Sequence, residues 1–308
     1  MLSPMAAIET RGLTKYYGRD RGIEGVDLEV HPGEVFGFLG PNGAGKTTTI
    51  RLLLDLIRPS SGSIRVLGLD PRAEGVSLRR RVGYLPGDLA LYGKRTPREF
   101  LRYFGRLRGD EQPDAVDALA ERFSLHLDRP IGKLSKGNRQ KVGLVQAFVH
   151  DPEVLFLDEP TAGLDPLMQQ EFEALVREAA LRGACVFLSS HALAEVQAVA
   201  DRAGIIRDGR LVAIDDVRDL RAKALLEIEI RFAAPVGANE FAGLAGVRDV
   251  SVNGAVMRCR VEGRADPLIK ALARHEVESI SGGELDLEDI FLAHYGPGAG
   301  RESVPDAD

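Results

Sequence analysis

Apolar and polar positions alternate in short runs from Ile8 to Val30, broken by glycine turns, which predicts antiparallel strands with one wet face. The pattern then changes character. Glu34 to Leu39 is an almost unbroken apolar run, a glycine loop follows, and Ile50, Leu53, Leu54 and Ile57 recur at helical spacing. Strand, loop and helix in that order are the opening of an α/β core.

From Thr96 to Val149 the spacing predicts helices. Thr96-Pro97-Arg98-Glu99 carries the N-cap, the Pro at N1 and the Glu at N3 of a capping box. Phe100, Leu101, Phe104 and Leu107 form one apolar stripe, and Val116, Leu119, Ala120 and Phe123 form the next. These helices, spanning about residues 88–150, read as a subdomain inserted into the α/β core. Two further buried strands are expected at Val154 to Leu157 and Ala184 to Leu188, each followed by a helix, then shorter strands at Ala203 to Arg207 and Arg210 to Ile214. A charged helix is expected around Asp215 to Lys223. Alternation resumes at Leu225, with strands near Val247 to Val252 and Ala255 to Val261, a helix from about Pro267 to Arg274, and one more strand. The expected division is therefore a core domain over residues 1–222, a small α+β domain over 223–296 and a disordered Gly, Pro and acidic tail over 297–308.

Composition narrows the function classes. With 308 residues the chain can bury the core of a large domain and a small one. Its formal net charge of -6 comes from interspersed charges of both signs, so nucleic acid is not expected as a partner. Cys185 and Cys259 sit in apolar runs far from any ligand spacing, which makes them reduced core residues. No apolar run reaches the roughly 18 residues of a membrane span, and the N-terminus lacks the regions of a secretory signal. A cytoplasmic protein without direct membrane insertion is expected.

The loop Gly40-Pro41-Asn42-Gly43-Ala44-Gly45-Lys46-Thr47 carries the chemistry. Wrapping a polyphosphate takes inward backbone N–H groups, glycines that tolerate positive φ, and a helix N-terminus. Gly40, Gly43 and Gly45 supply the permissive backbone, Lys46 a charge for the outer phosphates, and the Thr47 hydroxyl a Mg²⁺ ligand. Val154-Leu155-Phe156-Leu157-Asp158-Glu159 is a buried strand ending in two acids. In a parallel sheet such ends meet at the ligand crevice, so Asp158 is expected to hold Mg²⁺ with Thr47, and Glu159 to act as general base toward water. His191 follows the strand Cys185-Val186-Phe187-Leu188 and the pair Ser189-Ser190. It reads either as a first-turn residue behind a Ser190 cap or as a contact to the terminal phosphate, joining Glu159 and Lys46 as a catalytic candidate.

In this order the motifs resemble those of the ATP-binding-cassette (ABC) ATPases, over about Ile8 to Ala222. The distinguishing piece is Leu134-Ser135-Lys136-Gly137-Asn138-Arg139-Gln140, similar to the family's signature segment in a variant form. Read alone, Ser135 and Gly137 at a helix start offer either an anion site or an ordinary N-cap. Gly163-Leu164-Asp165 resembles the family's D-loop, and Asp165-Pro166 is also a good helix start. Tyr17 matches the aromatic on which the adenine stacks, with Tyr16 the alternative beside it. Two departures stand out: Gly87 occupies the position where the family carries a metal-binding glutamine, and Lys136 and Asn138 replace the signature's glycine and glutamine. Asp88 or a water could substitute for that glutamine. Leu287-Glu288-Asp289-Ile290-Phe291-Leu292 resembles the segment with which exporter-type members related to daunorubicin and bacitracin resistance end.

The resemblance implies a P-loop ABC-ATPase fold with an antiparallel β subdomain, an inserted helical subdomain and a C-terminal α+β appendage. It implies ATP and Mg²⁺ as cofactors and ATP hydrolysis that drives export through a separate membrane permease. Nucleotide contacts would come from Tyr17, Gly40, Pro41, Asn42, Gly43, Ala44, Gly45, Lys46, Thr47, Thr48 and Asp158. A second copy of the chain, paired head to tail, would add Ser135, Gly137 and Asp165. The chain would then sit peripherally at the inner face of the membrane.

Overall fold

The computed structural model describes residues 5–217 and 225–284. The chain divides into two compact units, Met1–Val217 and Arg218–Asp308. In the first unit β1 (Ile8–Tyr17), β2 (Asp20–Val30), β3 (Val35–Leu39), α1 (Lys46–Leu53), β4 (Ser61–Val66), α2 (Gly75–Arg80) and β5 (Val82–Leu85) come first. They are followed by α3 (Pro97–Arg108), α4 (Pro113–Arg122), α5 (Lys136–Phe148), β6 (Val154–Asp158), α6 (Pro166–Leu181), β7 (Cys185–Ser190), α7 (Leu193–Val199), β8 (Arg202–Arg207) and β9 (Arg210–Asp216).

A six-stranded sheet in the order β5-β6-β7-β3-β8-β9 carries the site. Its pairs from β5 to β8 are parallel, and only β8 and β9 run antiparallel. Every residue of β3, β6 and β7 is buried, as parallel strands covered on both faces require, which is why their sequences are continuous apolar runs. The register sets Leu39 opposite Ser190 and Asp158 opposite Ser189, so the strands that lead into the glycine loop, the acids and His191 end together. The antiparallel β1, β2 and β4 form the separate three-stranded sheet. Between β5 and β6 lie α3, α4 and α5. The capping box of α3 forms as expected, with Thr96 and Glu99 each accepting from the other's backbone N–H. Leu107 departs from the expected stripe: it is 65% exposed, because α3 buries only one narrow face through Phe100 and Leu101.

His150, just beyond α5, ties that helix to the sheet by donating from Nε2 to the Val82 carbonyl at 3.1 Å. Its Nδ1 is buried and has no hydrogen-bond partner among the described residues. Burial, reinforced by the Arg108 charge, pulls its pKa from 6.5 down to about 4. The fold thus favours the neutral ring. Below pH 6.5 the unfolded chain takes up a proton that the folded chain refuses, and the stability supplied here is lost as pH falls toward 4. At about 1.4 kcal/mol per pH unit this amounts to at most about 3.5 kcal/mol, reduced by solvent screening of a ring that is not fully buried. Urea midpoints measured at pH 7 and about pH 4.5 should therefore converge in His150→Gln relative to the parent chain. Identical pH sensitivity in both proteins would refute this assignment.

The second unit is a four-stranded antiparallel sheet, β10 (Leu225–Phe232), β11 (Val247–Asn253), β12 (Val256–Glu262) and β13 (Val277–Glu284), in the order β11-β12-β10-β13, with α8 (Asp266–Leu272) before the last strand. Ile230, Phe232, Phe241, Met257, Cys259, Val261, Leu268 and Leu272 make its core. Cys185 and Cys259 are both buried free thiols whose pKa burial raises, as core residues should be. Most of the expected charged helix at Asp215 to Lys223, the segment Leu287 to Leu292 and the tail over 297–308 lie outside the described residues; at the helix's start, β9 continues through Asp215 and Asp216 instead.

Candidate active site

β3 delivers the chain to Gly40, where a side chain is impossible: a Cβ would lie 2.3 Å from the Ile206 carbonyl oxygen. Gly43 and Gly45 take φ of 82° and 113°, values that side chains resist, and Gly45 opens α1 without any side-chain cap. The first turn of α1 therefore keeps its N–H groups for a ligand. A cleft of about 360 Å³ opens over this loop. Pro41, Asn42, Gly43, Gly45, Lys46, Thr47 and Thr48 line it, together with Tyr17, Arg21 and Gly22 from β1 and β2, and Glu159. Gly40 and Ala44 support the loop from beneath; the Ala44 carbonyl accepts from Gly209 N at 3.0 Å.

The two adjacent tyrosines are placed differently, and only Tyr17 lines the cleft. Successive residues on a strand face opposite ways, and Tyr17 packs on Gly22 in the cleft while the Tyr16 hydroxyl turns to Glu24. A Cβ at Gly22 would meet the Tyr17 ring at 2.9 Å, so in this position the ring rests on bare backbone.

Lys46 is buried and its ammonium donates to the Gly40 and Pro41 carbonyls at 2.6 and 3.3 Å. Asp158, 1% exposed, is pinned from two sides: Oδ2 accepts from Thr47 Oγ1 at 2.7 Å and Oδ1 from Ser189 Oγ at 2.5 Å. Burial and, secondarily, the Asp158 charge push up the pKa of the Tyr84 phenol, which stays neutral. Glu159 adopts a left-handed backbone with φ 50°. Its N–H is shared between the Ser189 carbonyl and hydroxyl, both at 3.2 Å. Its Oε2 sits 2.7 Å from His191 Nδ1, while Oε1 lies 3.2 Å from Lys46 Nζ, off the angle of a hydrogen bond, and is buried with no other partner among the described residues. His191 itself is largely exposed. Ser190 does not simply cap α7: its hydroxyl accepts from Ala192 N and donates to Glu195.

Thr47 and Asp158 are one hydroxyl and one carboxylate in contact, and among the described residues no group of three or more His, Cys, Asp or Glu forms a metal cage. That donor set suits Mg²⁺, which keeps most of its octahedron for phosphate oxygens and water. Gly87 stands directly against this pair. A Cβ there would be 3.1 Å from Asp158 Oδ2, so a side chain would press on a carboxylate that two hydroxyls hold in place. Asp88, the sequence-level substitute, is exposed.

Ser135, Gly137 and Asp165 do not line the cleft of their own chain. Ser135 caps α5 by accepting from Asn138 N at 3.2 Å, and Asp165 caps α6 by accepting from Met168 N at 3.1 Å. Gly137 lets the two segments touch, because a Cβ on it would lie 2.3 Å from the Gly163 carbonyl oxygen. Four neighbours of the site carry no predicted role: Arg21 and Gly22 in the cleft, Ser189 behind Asp158, and Gln140 behind Glu159. Ser189 leaves a trace as part of a serine pair at a strand end, and Gln140 as the last residue of the segment that resembles the signature.

Known proteins give the same answer as the geometry. The ABC transporter family matches residues 23–162. The bacitracin transport ATP-binding protein BcrA of Bacillus licheniformis is 39% identical over 67% of this chain and 68% of its own length. The daunorubicin/doxorubicin resistance ATP-binding protein DrrA of Streptomyces peucetius is 34% identical over 99% of this chain and 97% of its own. A solved ATP-binding subunit of an ABC transporter superposes with a TM-score of 0.66 at 32% identity, covering 70% of this chain and 92% of that one. A dimeric bacterial ABC transporter cassette shares the fold, with a TM-score of 0.62 at 21% identity over 68% of this chain and 99% of its own. This chain therefore belongs to the ABC transporter ATP-binding family, whose members hydrolyse ATP to drive transport.

Proposed function

We propose that this chain is the ATP-hydrolysing subunit of an exporter, binding Mg-ATP between two head-to-tail copies and driving a separate membrane permease. The observation that carries the reading is the Glu159 carboxylate held between Lys46 and His191, 3.2 and 2.7 Å away, over a glycine loop built for phosphates. Tyr17 stacks the base. Gly43, Gly45 and the first turn of α1 supply backbone N–H groups, and Pro41, Asn42 and Thr48 shape the rim. Lys46, now occupied by the Gly40 and Pro41 carbonyls, turns to the outer phosphates. Thr47 and Asp158 hold Mg²⁺, which when bound neutralises charge building on the phosphate oxygens. Glu159 takes the proton of the attacking water, and His191 orients that carboxylate and reaches the terminal phosphate.

Ser135, Gly137 and Asp165 lie away from their own cleft, which leaves the N-terminus of α5 free to close over the nucleotide of the second copy. No helix among the described residues is long and apolar enough to cross a membrane; in this reading the permease is a separate chain, and this one docks on it at the inner face. The docking surface runs from Gly87 to Tyr92 and onto α3, where Tyr92, Phe100, Tyr103 and Arg102 line a groove of about 460 Å³. The relatives named for bacitracin and for daunorubicin and doxorubicin support a drug-like cargo.

The purified chain should release phosphate from ATP only when Mg²⁺ is present. Thr47→Val should weaken the Mg²⁺ requirement's half-saturation by about 10- to 100-fold, while ATP binding in EDTA stays within about threefold. Equal losses with and without Mg²⁺ would remove Thr47 from the metal and refute this arrangement.

A further inference from the structure

A carboxylate can act as a base only if its backbone aims it, and the backbone of Glu159 is in a conformation that costs about 1–3 kcal/mol in an L-residue. Such a residue persists only when its surroundings over-determine it. Beside the local turn that brings the Ala162 N–H to the Glu159 carbonyl at 3.2 Å, two groups from distant parts of the chain do so here. On the N-terminal side, Ser189 of β7 takes the Glu159 N–H with both its carbonyl and its hydroxyl. On the C-terminal side the Gln140 amide, on a side chain only 6% exposed, donates to the Glu159 carbonyl at 3.2 Å and to the Pro160 carbonyl at 3.0 Å.

The chemistry of that second clamp is specific. Two consecutive carbonyls need two donors, and the single NH₂ of a glutamine supplies both. The assignment of nitrogen over oxygen is dictated by the same fact, since both neighbours are acceptors. Pro160 has no N–H and cannot continue a ladder, so the only backbone donor to this stretch among the described residues is the Ala162 N–H, 3.2 Å from the Glu159 carbonyl in a local turn, and the Gln140 amide adds the tie to α5. Gln140 lies on α5, a rigid element that begins at the Ser135 cap and packs by Gly137 against the Gly163 carbonyl.

We propose that Gln140 is a positioning residue for the hydrolysis: its amide clamps the carbonyls of Glu159 and Pro160 and so holds the base carboxylate between Lys46 and His191. It touches neither nucleotide nor metal and acts only through Glu159. The inference rests on Glu159 being the general base.

The experiment is a double-mutant cycle on the full chain with Mg-ATP. Gln140→Glu places a carboxylate against two carbonyls, and Gln140→Met keeps similar length with no donor. Each should lower kcat by about 10- to 100-fold, the cost of a base displaced by about an ångström, with KM for ATP within about threefold. In a Glu159→Gln background, where no base remains to be aimed, the same substitutions should change the residual rate less than about twofold. Unchanged kcat in both single variants, a loss shared equally by KM, or a loss that recurs in full in the Glu159→Gln background would each overturn the assignment. Full turnover in Glu159→Gln alone would instead refute Glu159 as the base, which keeps the two failures apart. If Gln140→Glu does not fold, Gln140→Met carries the test.

Discussion

Glu159→Gln is expected to lower kcat for ATP by about 10²- to 10⁴-fold, the range that a positioned general base contributes, with little change in KM. Glutamine keeps the length and the hydrogen bond toward His191 Nδ1, now 2.7 Å from Oε2. It cannot take a proton from water. The buried Oε1 of Glu159 also faces Lys46 at 3.2 Å, so the neutral side chain removes a negative charge from the place the terminal phosphate would approach. Both effects favour an ATP-bound state that does not turn over. Gel filtration of Glu159→Gln with Mg-ATP should show a dimer that disappears when ADP replaces ATP. A variant that stays monomeric with ATP would defeat the head-to-tail arrangement, and one that keeps parental kcat would defeat the assignment of the base.

The second large effect concerns stability. Phe187 is fully buried on β7, with its ring centroid 5.6 Å from that of Phe36, 5.2 Å from Phe38 and 6.0 Å from Phe156. These rings come from β3 and β6, the strands that position the glycine loop and the acids. Phe187→Ala removes the ring they share and leaves a cavity that parallel strands covered on both faces cannot easily close. The expected cost is about 3–5 kcal/mol, a large part of the 5–15 kcal/mol typical of a domain. Urea unfolding of the chain should show it as a lowered midpoint of the first unit with an unchanged slope. A cost below about 1 kcal/mol would mean the four rings do not form one packed cluster.

Sequence patterning was most legible where one physical cause acts locally. β3, β6 and β7 were visible because strands buried on both faces must be apolar at every position. The capping box at Thr96 and Glu99 was visible because its partners are three residues apart. β4 and β5 leave no such signal. β4 buries only Val66 fully, and β5 is four residues with a glycine, so neither holds enough period to count. Leu107 lies on its stripe yet stays exposed, because a helical stripe says which residues share a face and leaves open how wide a face the neighbours cover.

By itself the sequence determined the elements whose geometry is written in adjacent residues: the glycine loop, the helix starts at Thr96, Ser135 and Asp165, and the apolar strands that lead to Asp158 and His191. Their physical causes, backbone freedom at glycine, short-range capping and two-sided burial, all act within a few residues. Tertiary structure alone decided the rest. It turned Tyr17 and not Tyr16 into the cleft, and set Gly87 against a doubly pinned Asp158. It also held Glu159 in a left-handed backbone by Ser189 from one side and Gln140 from the other. These are contacts between residues distant in the chain, and a left-handed glutamate is stable only when such contacts exist.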